Sequence, residues 1–324
     1  MTGISCTRVV LVDVNYPDYE AEREILAPFQ ATLEHVTAQG ALNKTVDAVR
    51  DAHAVMVREA PVPRDAICAM NQCRIIVRYG VGVDNIDLDA ARAHRIFVAN
   101  VPKYGGDEVA DHSIALLLAV ARRIAQRDRA VRNGIWGVGP REPMYSFSDR
   151  TLGIIGYGRI GRAMHRKASC LGFRRTLVFD PYLQEAPEGA ERVDLDALCS
   201  EADAISLHTP LTRENHSMID ATRIALMKPT CILINTSRGG LVDEEALADA
   251  VMQGRLFGAG IDVFESEPPR LDHRLFMSGN VVVTDHTAWY SEESLRDLQT
   301  KAAQEVARVL SGGRPLSWVN RWED

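Results

Sequence analysis

Three polar residues in the second half of the chain, Arg238, Glu267 and His286, each follow an apolar run of strand type: Cys231 to Asn235, Phe257 to Val263 and Val281 to Thr284. Strands of a doubly wound sheet share one carboxyl rim, so residues just past those ends can meet there. The chemistry open to such a set is proton-coupled hydride transfer. A hydride leaving the carbon of a secondary alcohol needs the hydroxyl proton removed at the same time, which suits an imidazole titrating near neutral pH. His286 fits that role. A carboxylate on the other ring nitrogen fixes the tautomer and favours the protonated ring, and Glu267 is the candidate for it. A guanidinium holds an α-carboxylate or polarises the adjacent carbonyl with permanently charged donors, which Arg238 could supply. Taken singly, each has a plainer reading: a surface cation, a turn acid before Pro268-Pro269 and a satisfied loop histidine. Spacing alone does not decide between them. The other histidines show no comparable partner pattern.

A second constellation lies upstream. Gly156-Tyr157-Gly158-Arg159-Ile160-Gly161 follows the apolar run Leu152 to Ile155, and the next apolar run, Thr176 to Phe179, ends in Asp180. This is the pattern of a dinucleotide site with its ribose anchor. Gly156 permits the tight strand-to-helix turn, Gly158 lets the backbone approach a pyrophosphate, and Gly161 allows close helix–strand packing. The pyrophosphate then sits on a helix N-terminus. A glycine pattern alone is weak; the strand before it, the helix-compatible stretch Arg162 to Ser169 after it and the acid at the expected distance make it specific.

These residues need a scaffold, and the chain supplies an alternating one. From Val9 to Asn100, strand-like runs (Val9 to Val12, Ala54 to Val57, Arg74 to Val77, Ile96 to Ala99) alternate with helix-compatible stretches (Asp18 to Gln30, Thr45 to Ala52). That alternation predicts a parallel α/β sheet. Asp107 to Arg123 reads as a long amphipathic helix with Ala110, Ile114, Leu117, Leu118 and Ala121 on one face, suited to a connector or dimer surface, although a core helix is the more economical reading. Arg132 to Ser148 reads as a loop. A second α/β unit starts at Thr151 and adds strands at Ala204 to Leu207 and the three runs named first. Glu292 to Leu310, capped by Ser291, is expected to pack back onto the first unit. The expected domains are therefore 1–101 with 292–324, and 102–291. The ligand crevice is expected between them, at the carboxyl ends of the strands.

Composition narrows the alternatives. At 324 residues the chain favours two domains. With 46% hydrophobic and 25% charged residues it resembles ordinary globular proteins, and its longest apolar stretch, Ile114 to Ala121, is too short to span a bilayer. The first fifteen residues lack the order of a signal peptide, so the expected compartment is the cytoplasm. Cys6, Cys68, Cys73, Cys170, Cys199 and Cys231 form no CxxC pair, which argues against a disulfide framework and a zinc site. No metal is expected. A net charge of -7 without a basic stripe argues against nucleic acid as a partner.

Asn235 to Asp243, Asp262 to Pro268 and His286 resemble the three signature stretches of the D-isomer-specific 2-hydroxyacid dehydrogenases. Tyr79 to Asp87 and Asn100-Val101-Pro102 resemble that family's substrate-domain loop and hinge, so the likeness covers nearly the whole chain. The resemblance implies two doubly wound parallel-sheet α/β domains, a Rossmann NAD domain and a flavodoxin-like substrate domain. It makes Arg238 the substrate-orienting arginine, Glu267 the relay glutamate and His286 the acid/base. It places NAD against Val81, Gly156 to Gly161 (with Tyr157, Arg159 and Ile160), Asp180, Pro181, Thr209, Pro210, Thr236, Ser237, Arg238, Asp262, His286 and Ala288, with Asp262 orienting the carboxamide. The amides of Val81 and Gly82 would hold substrate.

Within the family, Ala288-Trp289-Tyr290-Ser291-Glu292, Asp180-Pro181-Tyr182 and Arg78 are most similar to the C-terminal binding protein branch and its bacterial relatives. There the matching arginine and tryptophan line the substrate pocket. Arg78 would add a second carboxylate or phosphate contact and Trp289 an apolar wall. One departure stands out: Asp285 replaces the proline that usually precedes the histidine. If its carboxylate turned toward His286 it would favour the protonated ring. The expected activity is NAD-dependent interconversion of a D-2-hydroxy acid and its 2-keto acid, in a homodimer. Phosphite oxidation and an NAD(H)-sensing corepressor-like role are the alternatives; Glu267 disfavours formate oxidation, which carries glutamine there.

Overall fold

The computed structural model describes residues 7–137 and 142–323. Cys6, part of the loop expected over 132–148 and the terminal Asp324 lie outside them. The chain divides into two compact units, Met1–Tyr104 with Ser291–Asp324, and Gly105–Tyr290.

The first unit runs β1 (Thr7–Val12), α1 (Glu20–Leu26), β2 (Ala31–Val36), α2 (Leu42–Val49), β3 (Ala54–Val57), α3 (Arg64–Cys68), β4 (Ile75–Arg78), α4 (Leu88–Ala93) and β5 (Phe97–Ala99). The strands pair in parallel in the order β2-β1-β3-β4-β5, the flavodoxin-like arrangement. β3 and β4 are buried on both faces, which is why their sequences are unbroken apolar runs ending in a cation only at Arg78. β2 was not expected as a strand. It is a half-exposed edge whose Glu34 accepts a hydrogen bond from Arg8 at 2.7 Å, so no apolar run marks it.

The second unit opens with α5 (Gly106–Ala121) and α6 (Ile124–Arg132). It continues through β6 (Thr151–Ile155), α7 (Arg159–Ala168), β7 (Arg175–Phe179), β8 (Glu191–Arg192), α8 (Leu195–Glu201), β9 (Ala204–Leu207), α9 (Ala221–Leu226), β10 (Ile232–Asn235), α10 (Glu244–Met252), β11 (Gly258–Ile261), α11 (Arg274–Met277) and β12 (Val281–Val283). Its seven-stranded parallel sheet has the order β12-β11-β10-β9-β6-β7-β8, a Rossmann order with one further edge strand. The order reverses between β6 and β9, and ligands of such sheets bind outside the carboxyl ends at that point.

The long helix after residue 105 buries Ala110, Leu117 and Ala121 of the expected face, but the buried line runs further round the helix than expected. Val109, Ala110, Ser113, Leu116, Leu117, Val120 and Ala121 are inside, whereas Leu118 is exposed and Ile114 half-buried. The cause is the partner strand. A β-carbon at Gly258 would stand 2.8 Å from Val120 Cγ1 and one at Gly260 2.8 Å from Leu116 Cβ, so these glycines let α5 settle onto β11 along that line. Arg123, with φ of 52°, then breaks the chain into α6.

After Tyr290 the chain returns to the first unit as α12 (Glu292–Leu310), started by a reciprocal capping box between Ser291 and Ser294. It packs on α1 and β4. Within that contact Glu22, fully buried, accepts hydrogen bonds from Tyr79 Oη at 2.7 Å and Gln299 Nε2 at 3.2 Å. Burial holds its carboxyl above the ordinary value, against the two donors.

Candidate active site

His286 lies three residues beyond β12 with φ of 58°, a left-handed conformation uncommon for a non-glycine residue, which its surroundings hold in place. The enforcing group is Asp262, just past β11 and 1% exposed. Its main-chain carbonyl accepts from the His286 amide at 2.8 Å. Its Oδ1 accepts from the Thr287 amide at 3.0 Å and Thr284 Oγ1 at 2.6 Å, and its Oδ2 from the Ala288 amide at 3.1 Å. One acceptor position on Oδ2 is left over. Trp289 closes the turn from the other side, its indole N–H donating to the His286 carbonyl at 3.1 Å.

This backbone aims the imidazole at Glu267. Nδ1 of His286 and Oε2 of Glu267 are 2.7 Å apart, and Oε1 accepts from the Phe264 amide at 2.9 Å. Burial pushes the Glu267 carboxyl upward, but the His286 hydrogen bond and charge, the Phe264 amide and the Arg238 charge outweigh it and hold the group below its ordinary value. With the carboxylate on Nδ1, the proton of a neutral ring is kept there and Nε2 is left as the reactive nitrogen. Arg238 follows β10, where Asn235 accepts from the Ser237 amide at 3.0 Å and donates to the Arg238 carbonyl at 2.8 Å. Thus the three side chains read from separate strand ends share one rim. Asp285 does not turn to His286: its carboxylate accepts from Thr287 Oγ1 at 3.1 Å.

The glycine loop is built for a close anionic ligand. Gly156 has φ of 87°, and a β-carbon there would stand 2.5 Å from the His208 carbonyl oxygen, just before Thr209 and Pro210. At Gly161 a β-carbon would meet the Gly156 carbonyl oxygen at 2.1 Å. Gly158, at the start of α7, instead faces open space, which leaves room for a pyrophosphate to approach the backbone. Asp180, past β7, clamps this loop: Oδ2 accepts from the Tyr157 amide at 2.8 Å and Oδ1 from the Tyr182 amide at 2.9 Å. Its remaining acceptor positions suit ribose hydroxyls. Thr236 Oγ1 lies 2.8 Å from Ser113 Oγ, and Ser237 Oγ donates to the Leu207 carbonyl at 2.6 Å, fixing the β10 end of the same rim. These residues fit NAD.

In the first unit, Arg78 at the end of β4 is 8% exposed. Its Nε donates to the Arg58 carbonyl at 3.1 Å and its Nη2 lies 3.6 Å from Glu59 Oε1. Gly80, with φ of 144°, makes room for it, since a β-carbon there would fall 1.4 Å from Arg78 Nη1. Val81 follows, 43% exposed, with its carbonyl accepting from Asn100 Nδ2 at 2.6 Å.

Two readings need correction. Other histidines do have acid partners: His273 Nε2 lies 2.8 Å from Glu244 Oε2 and His216 Nε2 3.1 Å from Glu265 Oε1. These pairs join residues far apart in the chain, which spacing could not show. His112, on α5, shows no partner pattern in the sequence, yet its Nε2 is 2.9 Å from Thr284 Oγ1 in the loop that carries His286. His208, at the end of β9, is held neutral by burial, its pKa pushed down to about 3. Among the described residues no group of three or more His, Cys, Asp or Glu could hold a metal ion, and no helix is long and apolar enough to cross a membrane.

Residues 114–288 match the family model described as D-isomer specific 2-hydroxyacid dehydrogenase, NAD binding domain. The chain is 40% identical over 283 residues to a glyoxylate reductase of Korarchaeum cryptofilum, covering 85% of each. It is 39% identical over 280 residues to a D-3-phosphoglycerate dehydrogenase of Methanocaldococcus jannaschii, covering 85% of this chain and 53% of that one. A crystal structure of D-lactate dehydrogenase from Aquifex aeolicus complexed with NAD and lactic acid is similar with a TM-score of 0.83 and 28% identity, covering 94% of this chain and 96% of the other.

Proposed function

Since the chain belongs to the D-isomer-specific 2-hydroxyacid dehydrogenase family and is an NAD-dependent enzyme of that kind, we propose that it reduces a small 2-keto acid to the D-2-hydroxy acid, and runs the reverse, through a His286–Glu267 proton relay. The observation that carries this reading is the 2.7 Å contact between Glu267 and Nδ1 of His286, on the rim that also bears Arg238. When bound, the nicotinamide supplies the hydride in reduction and accepts it in oxidation. The glycine loop, Asp180, Thr209, Pro210, Thr236, Ser237 and Ala288 hold the cofactor, with the spare Oδ2 acceptor of Asp262 orienting its carboxamide.

Protonated His286 donates from Nε2 to the carbonyl oxygen as C2 is reduced, and neutral His286 takes the proton back in oxidation. Glu267 stabilises the imidazolium without itself taking the proton. Arg238 binds the carboxylate and polarises the carbonyl, and the amides of Val81 and Gly82 are further substrate contacts. Arg78 and Trp289 set the shape and charge presented to the rest of the substrate. The relatives act, by their names, on glyoxylate and on D-3-phosphoglycerate. Glyoxylate, hydroxypyruvate and phosphorylated or larger keto acids are the substrate types to screen.

The test is a steady-state screen of 2-keto acids with NADH, repeated with His286→Ala. On at least one acid, kcat should fall about a hundredfold or more in the variant, the lower end of what a positioned general acid supplies, while NADH still binds. Near-normal turnover by His286→Ala would remove the relay.

A further inference from the structure

His112 and Ser113 are adjacent on one turn of α5, and each grips a different loop of the catalytic rim. Ser113 Oγ, whose own proton goes to the Val109 carbonyl at 2.7 Å, accepts from Thr236 Oγ1, two residues before Arg238. His112 Nε2 lies 2.9 Å from Thr284 Oγ1, two residues before His286.

The proton directions follow from valence. Asp262 Oδ1 takes the Thr287 amide hydrogen, so toward Thr284, 2.6 Å away, it is also an acceptor. The single hydroxyl hydrogen of Thr284 is therefore committed to Asp262, and the bond from His112 to Thr284 exists only if Nε2 carries the hydrogen. A directed chain results, from His112 Nε2–H to Thr284 Oγ1–H to Asp262 Oδ1. It ends on the carboxylate that holds Thr287, Ala288 and, through its main chain, the left-handed His286. His112 Nε2 is also 3.6 Å from Asp262 Oδ1 itself.

We propose that His112 is a positioning residue for the reaction: as an obligate Nε2–H donor it fixes Thr284 and Asp262, and through them the aim of His286, while Ser113 on the same turn ties the Arg238 loop to the same support. A φ of 58° is an uncommon backbone conformation for a non-glycine residue, so loosening the hydrogen bonds that hold it lets the loop relax. A small misplacement of an acid/base costs rate far more than it costs binding. The inference rests on the proposed role of His286.

The experiment compares His112→Leu, which removes the donor, with His112→Gln, whose amide can donate near the Nε2 position, and with Thr284→Val. With the best keto acid of the screen, His112→Leu should lower kcat about tenfold with KM for NADH within about twofold, and His112→Gln should recover most of it. The double variant His112→Leu/Thr284→Val should be no slower than the worse single one, since both cut the same chain. Native kcat in His112→Leu, additive losses in the double variant, or a loss confined to KM would each overturn the proposal. If His112→Leu does not fold, failure of His112→Gln to keep activity together with an unaffected Thr284→Val does the same. His286→Ala is run alongside: full activity there would sink the relay itself, whereas a dead His286→Ala with a fully active His112→Leu sinks only this inference.

Discussion

Replacing Asp180 by asparagine should collapse a preference for NADH over NADPH. The carboxylate stands past β7 with one oxygen on the Tyr157 amide at 2.8 Å and the other on the Tyr182 amide at 2.9 Å, so its position is fixed and its charge stays with the glycine loop. A 2′-phosphate placed where the ribose hydroxyl belongs would sit about 4 Å from that charge. Two unit charges at that separation repel by about 4 kcal/mol at an effective dielectric constant near 20. Partial exposure of the site brings this to about 2–3 kcal/mol, a preference of roughly a hundredfold. The residues that follow it, Pro181-Tyr182-Leu183, carry no cation, and Arg175, at the opposite end of β7, is occupied by Glu191 at 2.8 Å and Glu201 at 3.0 Å. Measuring kcat/KM for both cofactors with one keto acid should give that ratio in the native enzyme and less than about tenfold in Asp180→Asn. A native ratio near one, or a ratio that the substitution leaves unchanged, would show that Asp180 does not face the ribose.

Three further outcomes are expected. Glu267→Gln removes the anion from Nδ1 of His286, so the imidazolium loses its charge partner and the alkaline limb of reduction should move to lower pH; an unmoved kcat/KM profile would exclude the relay. Glu22 has its carboxyl raised by burial, so its contribution to stability is complete below the ordinary carboxyl range and is lost as pH rises through the raised value. Glu22→Gln should therefore melt higher than native at pH 8 and lose that advantage near pH 4, and equal differences at both would refute the assignment. Light scattering at micromolar concentration should give twice 35.8 kDa, with the contact on the outer side of residues 107–123 and on α6, where Leu118, Ile124 and Val131 are exposed; the mass of one chain would exclude the dimer.

The parts of the fold legible from sequence are those where burial is two-sided. β3 and β9 match their predicted runs to the residue, because strands covered on both faces are almost wholly apolar, with Ser206 the one polar residue in the two. β2 and the two-residue β8 are edges with exposed charged residues, and nothing in their composition separates them from loops. In α5 the helix and much of its buried face, Ala110, Leu117 and Ala121, were legible, but the bounds of that face were not. Leu116, Leu117 and Leu118 run consecutively, and which of them faces inward was decided by Gly258 and Gly260 on a strand more than a hundred residues later. The site divides the same way. Arg238, Glu267 and His286 could be found because each follows a readable strand end, and the glycine loop because its spacing is set by backbone approach. His112 sits mid-helix, where a histidine carries no periodic signal; only the packing of α5 against the end of β12 brings it to Thr284.

Gly80 and Arg78 cannot evolve as independent sites. The guanidinium occupies the volume that any side chain at residue 80 would claim, 1.4 Å from where its first carbon would stand, and the backbone there is in glycine's region at φ of 144°. Alanine at 80 in the native background must both strain the chain and evict the arginine, whereas in an Arg78→Ala background the strain and a tight 3.1 Å approach to Tyr104 Oη remain. The pair should therefore show positive epistasis in a combinatorial library, with tolerated alternatives at 80 appearing only after 78 has become small. A lineage that exchanged Arg78 to change its substrate would lose the main steric reason for glycine at 80 and keep chiefly the conformational one.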